Sequence, residues 1–351
     1  MRFPRVFVAI GLLGSLSLAP TGTGGESAAI SMTRRSLGEK ELVAAVAPGG
    51  RLWSRIESLG SSIPRGETGE FDAFLKAEWL IDAIVRPVHS QLKTHVLEIE
   101  SAFVQGTRAS WENRSLSHDY LGHQFRFLRI HTLGGRPGLL FRSAGERGQL
   151  NYCLFAVAAG PDGTLSAEDL YVVGMGEWLS DTLRRGYLTL VESLDPRGES
   201  GRRASLYVES LADITAMQAA LIRKDYSKVL ALSSSLPPEV LQDRQILLTR
   251  LEAAENISLA ERTRLFAEWK ALHPNPEQLP LKWADFHLAA GRFEEARSVL
   301  AALNTRIGGD THLMLRLGEI KMLAAHHAAG KMLGGRPGLD ASTPESAESL
   351  R

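Results

Sequence analysis

LAAGRFEEARSVLAAL, residues 288–303, is the stretch on which the reading of this chain turns. One helix ends at Gly291, a residue that accepts the left-handed backbone of a helix stop. Phe293 and Ala296 open the next helix, and Val299, Leu300 and Leu303 continue its apolar face at helical spacing. The pattern returns at a fixed interval. Trp283 and Ala284 stand 34 residues before Leu317 and Gly318, and Gly291 stands 34 before Ala325. Moving back by the same interval, Phe293 falls on Leu259, Val299 on Leu265, Leu300 on Phe266 and Leu303 on Trp269. A further step of 33 reaches Tyr226, Leu232, Ser233 and Leu236. Pro237 and Pro274 follow the second helix in two of these units.

Helix pairs at this period resemble the tetratricopeptide repeat, over residues 203–333, as three pairs and a long closing helix. The third unit matches best. The middle unit departs from the pattern: Thr249 and Arg250 replace a bulky-plus-small pair, and Arg262 stands where helix B wants a small residue. The resemblance implies a helical solenoid whose first helices line a concave, partner-binding surface. Carried over position by position, that surface holds Leu211, Ile214, Gln218 and Leu221, then Arg244, Leu247, Leu251 and Ala254. The third unit supplies Gln278, Leu281, Asp285 and Leu288, and the closing helix His312, Leu315, Glu319 and Met322. Leu281, Asp285, Leu288, Leu315, Glu319 and Met322 form the expected partner site. The Lys/Asn/Arg clamp with which some members of the family grip a C-terminal carboxylate is missing. A groove this apolar is expected to be covered, either by a protein or peptide partner or by the chain's own preceding domain. A short Pro/Gly connection between the two favours the second.

That preceding domain reads as α+β over residues 70–195. FDAFLKAEWLIDAIV, residues 71–85, has helical spacing up to Pro87, and a second amphipathic helix is expected over 88–104. The period then changes to two. FRFLRIH, residues 125–131, alternates, with Phe125, Phe127 and Arg129 on one face and Arg126, Leu128 and Ile130 on the other. GGRPG turns into LLFRS, AGERGQ into LNYCLFAVAA, and Pro161-Asp162-Gly163 into DLYVVG, before EWLSDTLRRGYLTLVESL returns to helix. Helices followed by a four-stranded antiparallel meander make a sheet with helices on one face. The order of elements is similar to the cystatin-like and nuclear-transport-factor-2-like families, a likeness of topology with no motif behind it.

Upstream, MRFPR precedes the uncharged run VFVAIGLLGSLSLA, residues 6–19, in the manner of a secretory signal peptide over residues 1–29. The run is short for a membrane span, so no stable span is expected after signal removal, and the protein is expected outside the cytoplasm, periplasmic or extracellular. Residues 30–69 read as a linker with short helices, and residues 334–351 as a disordered Gly/Pro/Ser/Glu tail. The 351 residues carry 40 basic and 40 acidic side chains, so nothing in the charge points to nucleic acid. One cysteine, Cys153, excludes an internal disulfide framework, and its mid-strand setting reads as an inert buried thiol.

Chemistry is sparse. His118, Asp119, His123 and His131 lack metal-ligand spacing, and no phosphate loop, dinucleotide fingerprint or nucleophile elbow occurs. Glu168 or Asp169, with Tyr152 or His131 beside it, could serve as a general base in a sheet cavity. No cofactor, metal or catalytic residue is assigned. The expected function is that of a non-enzymatic, exported interaction or scaffold protein, with a periplasmic assembly factor for envelope proteins as a third reading. The alternative is a small-molecule-binding or hydrolytic α+β domain with the repeats as a scaffold. A sheet cavity filled by Phe125, Phe127, Leu154 and Phe155 would favour the first, and an open one with a buried carboxylate the second.

Overall fold

In the computed structural model, residues 34–67, 69–89, 100–101, 103–108, 123–145, 150–193, 199–274 and 279–334 are described. A sheet holds the centre. Its strands are β1 (Arg35–Ser36), β2 (Gln124–Leu133), β3 (Arg136–Ala144), β4 (Leu150–Ala159), β5 (Leu165–Val172) and β6 (Glu177–Trp178). The order is β2-β3-β4-β5-β6, all antiparallel, with β1 paired to the far end of β4. The β2–β3 hairpin closes on Gly134 and Gly135, both at positive φ, the backbone a two-residue hairpin turn demands. The β4–β5 turn is pinned by Asp162, which accepts from the Thr164 amide at 2.9 Å and its hydroxyl at 2.6 Å. Six strands stand where four were expected. The two additions are two residues long, too short to leave a periodic signal.

One face of the sheet, the inner face, carries Phe125, Phe141 and Phe155 against Phe71 and Phe74 of α3 (Gly69–Phe74). Helices α1 (Glu39–Val46), α2 (Trp53–Ser62), α4 (Ala77–His89) and α5 (Leu179–Glu192) close this core with Leu42, Ile56, Leu59, Leu80, Ile84, Leu183 and Tyr187. Residues 34–65, expected as linker, are therefore structural. The expected single helix over 71–85 is two helices. Between them Leu75 bridges to Ala167 of β5, and the Lys76 amide donates to the Ala167 carbonyl at 3.2 Å, so the sheet takes the backbone bond that would have continued the helix. The helix expected over 88–104 falls mostly outside the described residues; at its described end Glu100 and Phe103 are buried.

Two β-bulges reset the faces. Phe127 pairs with Phe141 and Arg129 with Leu140, so Leu128 is an extra residue in β2. Strict alternation put Arg129 with the two phenylalanines. The bulge instead sends Ile130 to the inner core, while Leu128 packs on the opposite, outer face. In β5, Ala156 pairs with Asp169 and Val157 with Ala167, which leaves Glu168 as the inserted residue.

Helices α6 (Glu199–Glu209), α7 (Leu211–Ile222), α8 (Tyr226–Ser233), α9 (Pro238–Leu241), α10 (Arg244–Glu255), α11 (Leu259–Leu272), α12 (Pro280–Ala289), α13 (Phe293–Arg306) and α14 (Thr311–Gly334) follow. Helices α7 and α8, α10 and α11, and α12 and α13 pack as consecutive pairs, and α14 packs on α13. Their starts are chemically marked: Asp225, Asp243 and Ser258 accept backbone amides at the heads of α8, α10 and α11. The first pair shares the inner-face core through Ile214, Met217, Leu221 and Val229. The second builds its own around Leu251, Phe266, Trp269 and Trp283. The third, with α14, lies on the sheet's outer face, where Leu281, Ala284, Leu300, Leu303, Leu313 and Ile320 meet Leu140, Tyr152, Leu154, Ala156 and Tyr171. The helices thus run from one face of the sheet round to the other and clasp it. The fold is α+β, and the clasp joins its two parts into one unit.

Candidate functional site

The inner face offers no open site. Phe125, Phe141 and Phe155 are buried with ring centroids 4.8 to 6.3 Å apart, and Phe127 packs on Phe141 at 5.5 Å. Leu154, which was expected to fill the cavity with them, lies on the outer face, as its place next to Phe155 in the strand requires. The candidate general bases fall into three separate networks. Glu168 accepts from Arg34 Nε at 2.9 Å and from the Ser36 hydroxyl at 2.6 Å, with Asp82 on the other arm of Arg34. Asp169 accepts from Arg136 at 2.9 Å, the Ser180 hydroxyl at 2.6 Å and the Leu170 amide at 2.9 Å. Burial raises its pKa, against the pull of Ser180 and Arg136. Arg136 in turn stacks 3.9 Å over Trp178. Tyr152 bonds neither acid. Its hydroxyl donates to Asp310 at 2.7 Å, and burial together with that carboxylate pushes its pKa up. His131 is held below the usual imidazole range by burial first, then by Arg129 and Arg306.

Polar groups converge instead at the junction of the sheet with the α13–α14 turn. Gly308 and Gly309 both take positive φ, so the chain reverses in two residues after α13 and turns their carbonyls towards the sheet. Both carbonyls accept from the Arg129 guanidinium. A Cβ on Gly308 would stand 2.8 Å from that guanidinium. Asp310 follows, its amide donating to Asn304 Oδ1 at 2.8 Å. Its carboxylate leaves the head of α14 and reaches across to the sheet, taking Arg142 on one oxygen and Tyr152 on the other, each at 2.7 Å. Both partners of this ion pair are buried. Beside it opens a cleft of about 550 Å3 lined by Arg126, Phe127, Leu128, Arg129, Arg142, Asn304, Thr311 and Met314 among others.

The expected partner residues divide. Leu281 is buried in the outer-face core and Leu288 packs against it, both covered by the sheet. Asp285 is half-buried beside them, and its carboxyl is pushed up to about 6, chiefly by burial, with the Glu255 charge adding to it. Leu315 and Met322 face away from the sheet and are 65% and 67% exposed. Glu319, between them, pairs with Arg316 at 3.0 Å. The carried-over register is therefore half a turn out on α14, where Leu313 and Ile320 do the packing. Gln278 lies outside the described residues, as do His118 and Asp119. Ala296 is fully buried, as close packing of the α12–α13 pair requires. The misfit residues of the middle unit are accommodated: Arg250 makes a two-pronged pair with Glu268 of α11 at 2.6 and 3.1 Å, and Thr249 bonds the Gln245 carbonyl.

Sequence reasoning missed Arg129, Arg142 and Asp310. Gly-Gly-Asp-Thr does read as a helix stop followed by a helix head, which marks the turn. Nothing in it says that the aspartate serves a strand some 168 residues away. Among the described residues no group of three or more His, Cys, Asp or Glu is placed to hold a metal ion, and no helix is long and apolar enough to cross a membrane. No protein-family model matches the chain, and no curated protein or solved structure matches it either.

Proposed function

We propose that this chain is an exported, non-enzymatic interaction or scaffold protein whose helical pairs form a tetratricopeptide-like array. One observation carries the reading. The array's inward apolar residues are used on the chain's own sheet, while Met314, Leu315, Met322 and Leu323 on α14 remain exposed. Large apolar side chains grouped on one exposed helix face mark a surface that another protein covers. The filled aromatic face of the sheet and the separate pairing of Glu168 with Arg34 and Asp169 with Arg136 support binding over catalysis. The apolar run at residues 6–19 supports export.

The test is affinity capture of the full chain beside a Leu315→Glu/Met322→Glu variant. Proteins retained by the parent and lost by the variant, with both melting alike, support the reading. An identical set of retained proteins contradicts it. Fractionation of the producing cells tests export, and a full-length chain in the cytoplasmic fraction would count against it. A second reading, a small-molecule-binding module, is favoured by the junction cleft.

A further inference from the structure

We propose that the junction cleft binds a small organic anion, one carboxylate or phosphate group carried on a short apolar body. Arg126 and Arg142 are directly opposed across β2 and β3, an arrangement in which like charges repel. Asp310 answers only Arg142. Arg126 is exposed and makes no hydrogen bond or ion pair among the described residues, and Arg129 gives both its terminal nitrogens to neutral carbonyls. Three guanidiniums therefore line the cleft with one carboxylate among them.

The donors are also incompletely used. The Nε atoms of Arg129 and Arg142 are buried without an acceptor, although Arg142 itself is only 3% exposed. A buried donor without a partner carries an unmet desolvation penalty, so the positive charge at this junction is not fully answered by the chain itself. Asp310, which stands at the head of α14, has turned its carboxylate to the sheet, so the first amides of that helix have no side-chain cap from it. Thr311, the first residue of α14, lines the cleft. Leu128 and Met314 add apolar surface to the lining, which suits a hydrocarbon body better than a hydrated inorganic ion. The volume, about 550 Å3, is that of a small-ligand site. This inference goes beyond the partner surface on α14, and Arg126 belongs to the cleft alone.

The experiment is titration calorimetry of the full-length protein at low salt with four probes: octanoate, octyl phosphate, inorganic phosphate and octanamide. The proposal expects octanoate or octyl phosphate to bind at least about tenfold more tightly than inorganic phosphate and octanamide. The ranking of the two octyl anions then assigns the head group. Arg126→Gln should weaken the better anion by about tenfold while leaving the melting temperature unchanged, since this side chain is exposed and unpaired. Failure of both octyl anions to bind, octanamide binding as tightly as they do, inorganic phosphate binding as tightly as octyl phosphate, or unchanged affinity in Arg126→Gln would each overturn the proposal.

Discussion

The two faces of the sheet are built by different means. The inner face is centred on an aromatic cluster, and its core is drawn from residues 37–190, with the first helical pair at its edge. The outer face is closed by α12, α13 and α14, with polar links that join residues 168 and 179 positions apart, and it mixes apolar contacts with a buried ion pair. At its β6 edge Arg244 of α10 donates to the Met175 carbonyl at 2.6 Å and stands 3.5 Å from Glu177. At its β2–β3 edge Arg142, Tyr152 and Asp310 close the other end. Apolar packing is non-directional and can hold a face that local chain connectivity has already oriented. A partner arriving from far along the chain needs directional bonds to fix where it lands, and the polar pins stand at the two ends of the clasp.

That contrast can be broken by mutation. The largest effects belong to the aromatic centre of the inner face and to the buried ion pair that pins the outer one. Phe155→Ala leaves a hole in the aromatic cluster and should cost about 3–5 kcal/mol, lowering protection of the whole sheet to hydrogen exchange together. Asp310→Ala strands the buried Arg142 charge and should cost a similar amount, about 3–5 kcal/mol, but with exchange rising first in α12, α13 and α14 while β3 and β4 stay protected. Equal loss of protection in all elements for both variants would erase the distinction between the faces. Tyr152→Phe removes one donor from Asp310 and keeps the ring, so about 1–3 kcal/mol is expected in chemical denaturation.

How much of this was legible in the sequence follows the same division. The meander, its turns and the succession of helices came from local signals: alternation, Gly and Pro–Asp–Gly turns, and helical spacing, and Ala296 is buried as expected. The bulges at Leu128 and Glu168 were not legible, because a single inserted residue reads the same as continued strand until its partner is known. That is why Arg129 was placed on the wrong face. The α14 register failed for another reason. The helix is apolar on two sides, with Leu313 and Ile320 inward and Leu315 and Met322 outward, so periodicity alone had no means of choosing between them.

The smallest expected effect concerns Asp285, beside the outer-face core. Its carboxyl titrates at about 6, against roughly 3.9 when unfolded, so the folded chain keeps a proton between these values that the unfolded chain has lost. Stability should therefore fall as pH rises through that window, and the loss is complete by pH 7. Asp285→Asn should stabilise the protein at pH 7 by about 1–2 kcal/mol and flatten its melting temperature between pH 4 and 6. A variant whose pH dependence matches the parent would show that this carboxyl is not the one perturbed.

The clasp itself is tested most directly by a double-mutant cycle between the sheet and the head of α14. Arg142→Met, Asp310→Leu and the pair together are compared with the parent by denaturant unfolding. Contact across the junction predicts a coupling of about 1–3 kcal/mol, with the double variant more stable than the two single losses added together. Strict additivity of the two losses would mean that Arg142 and Asp310 do not meet, and that the helices do not close over the outer face in this way.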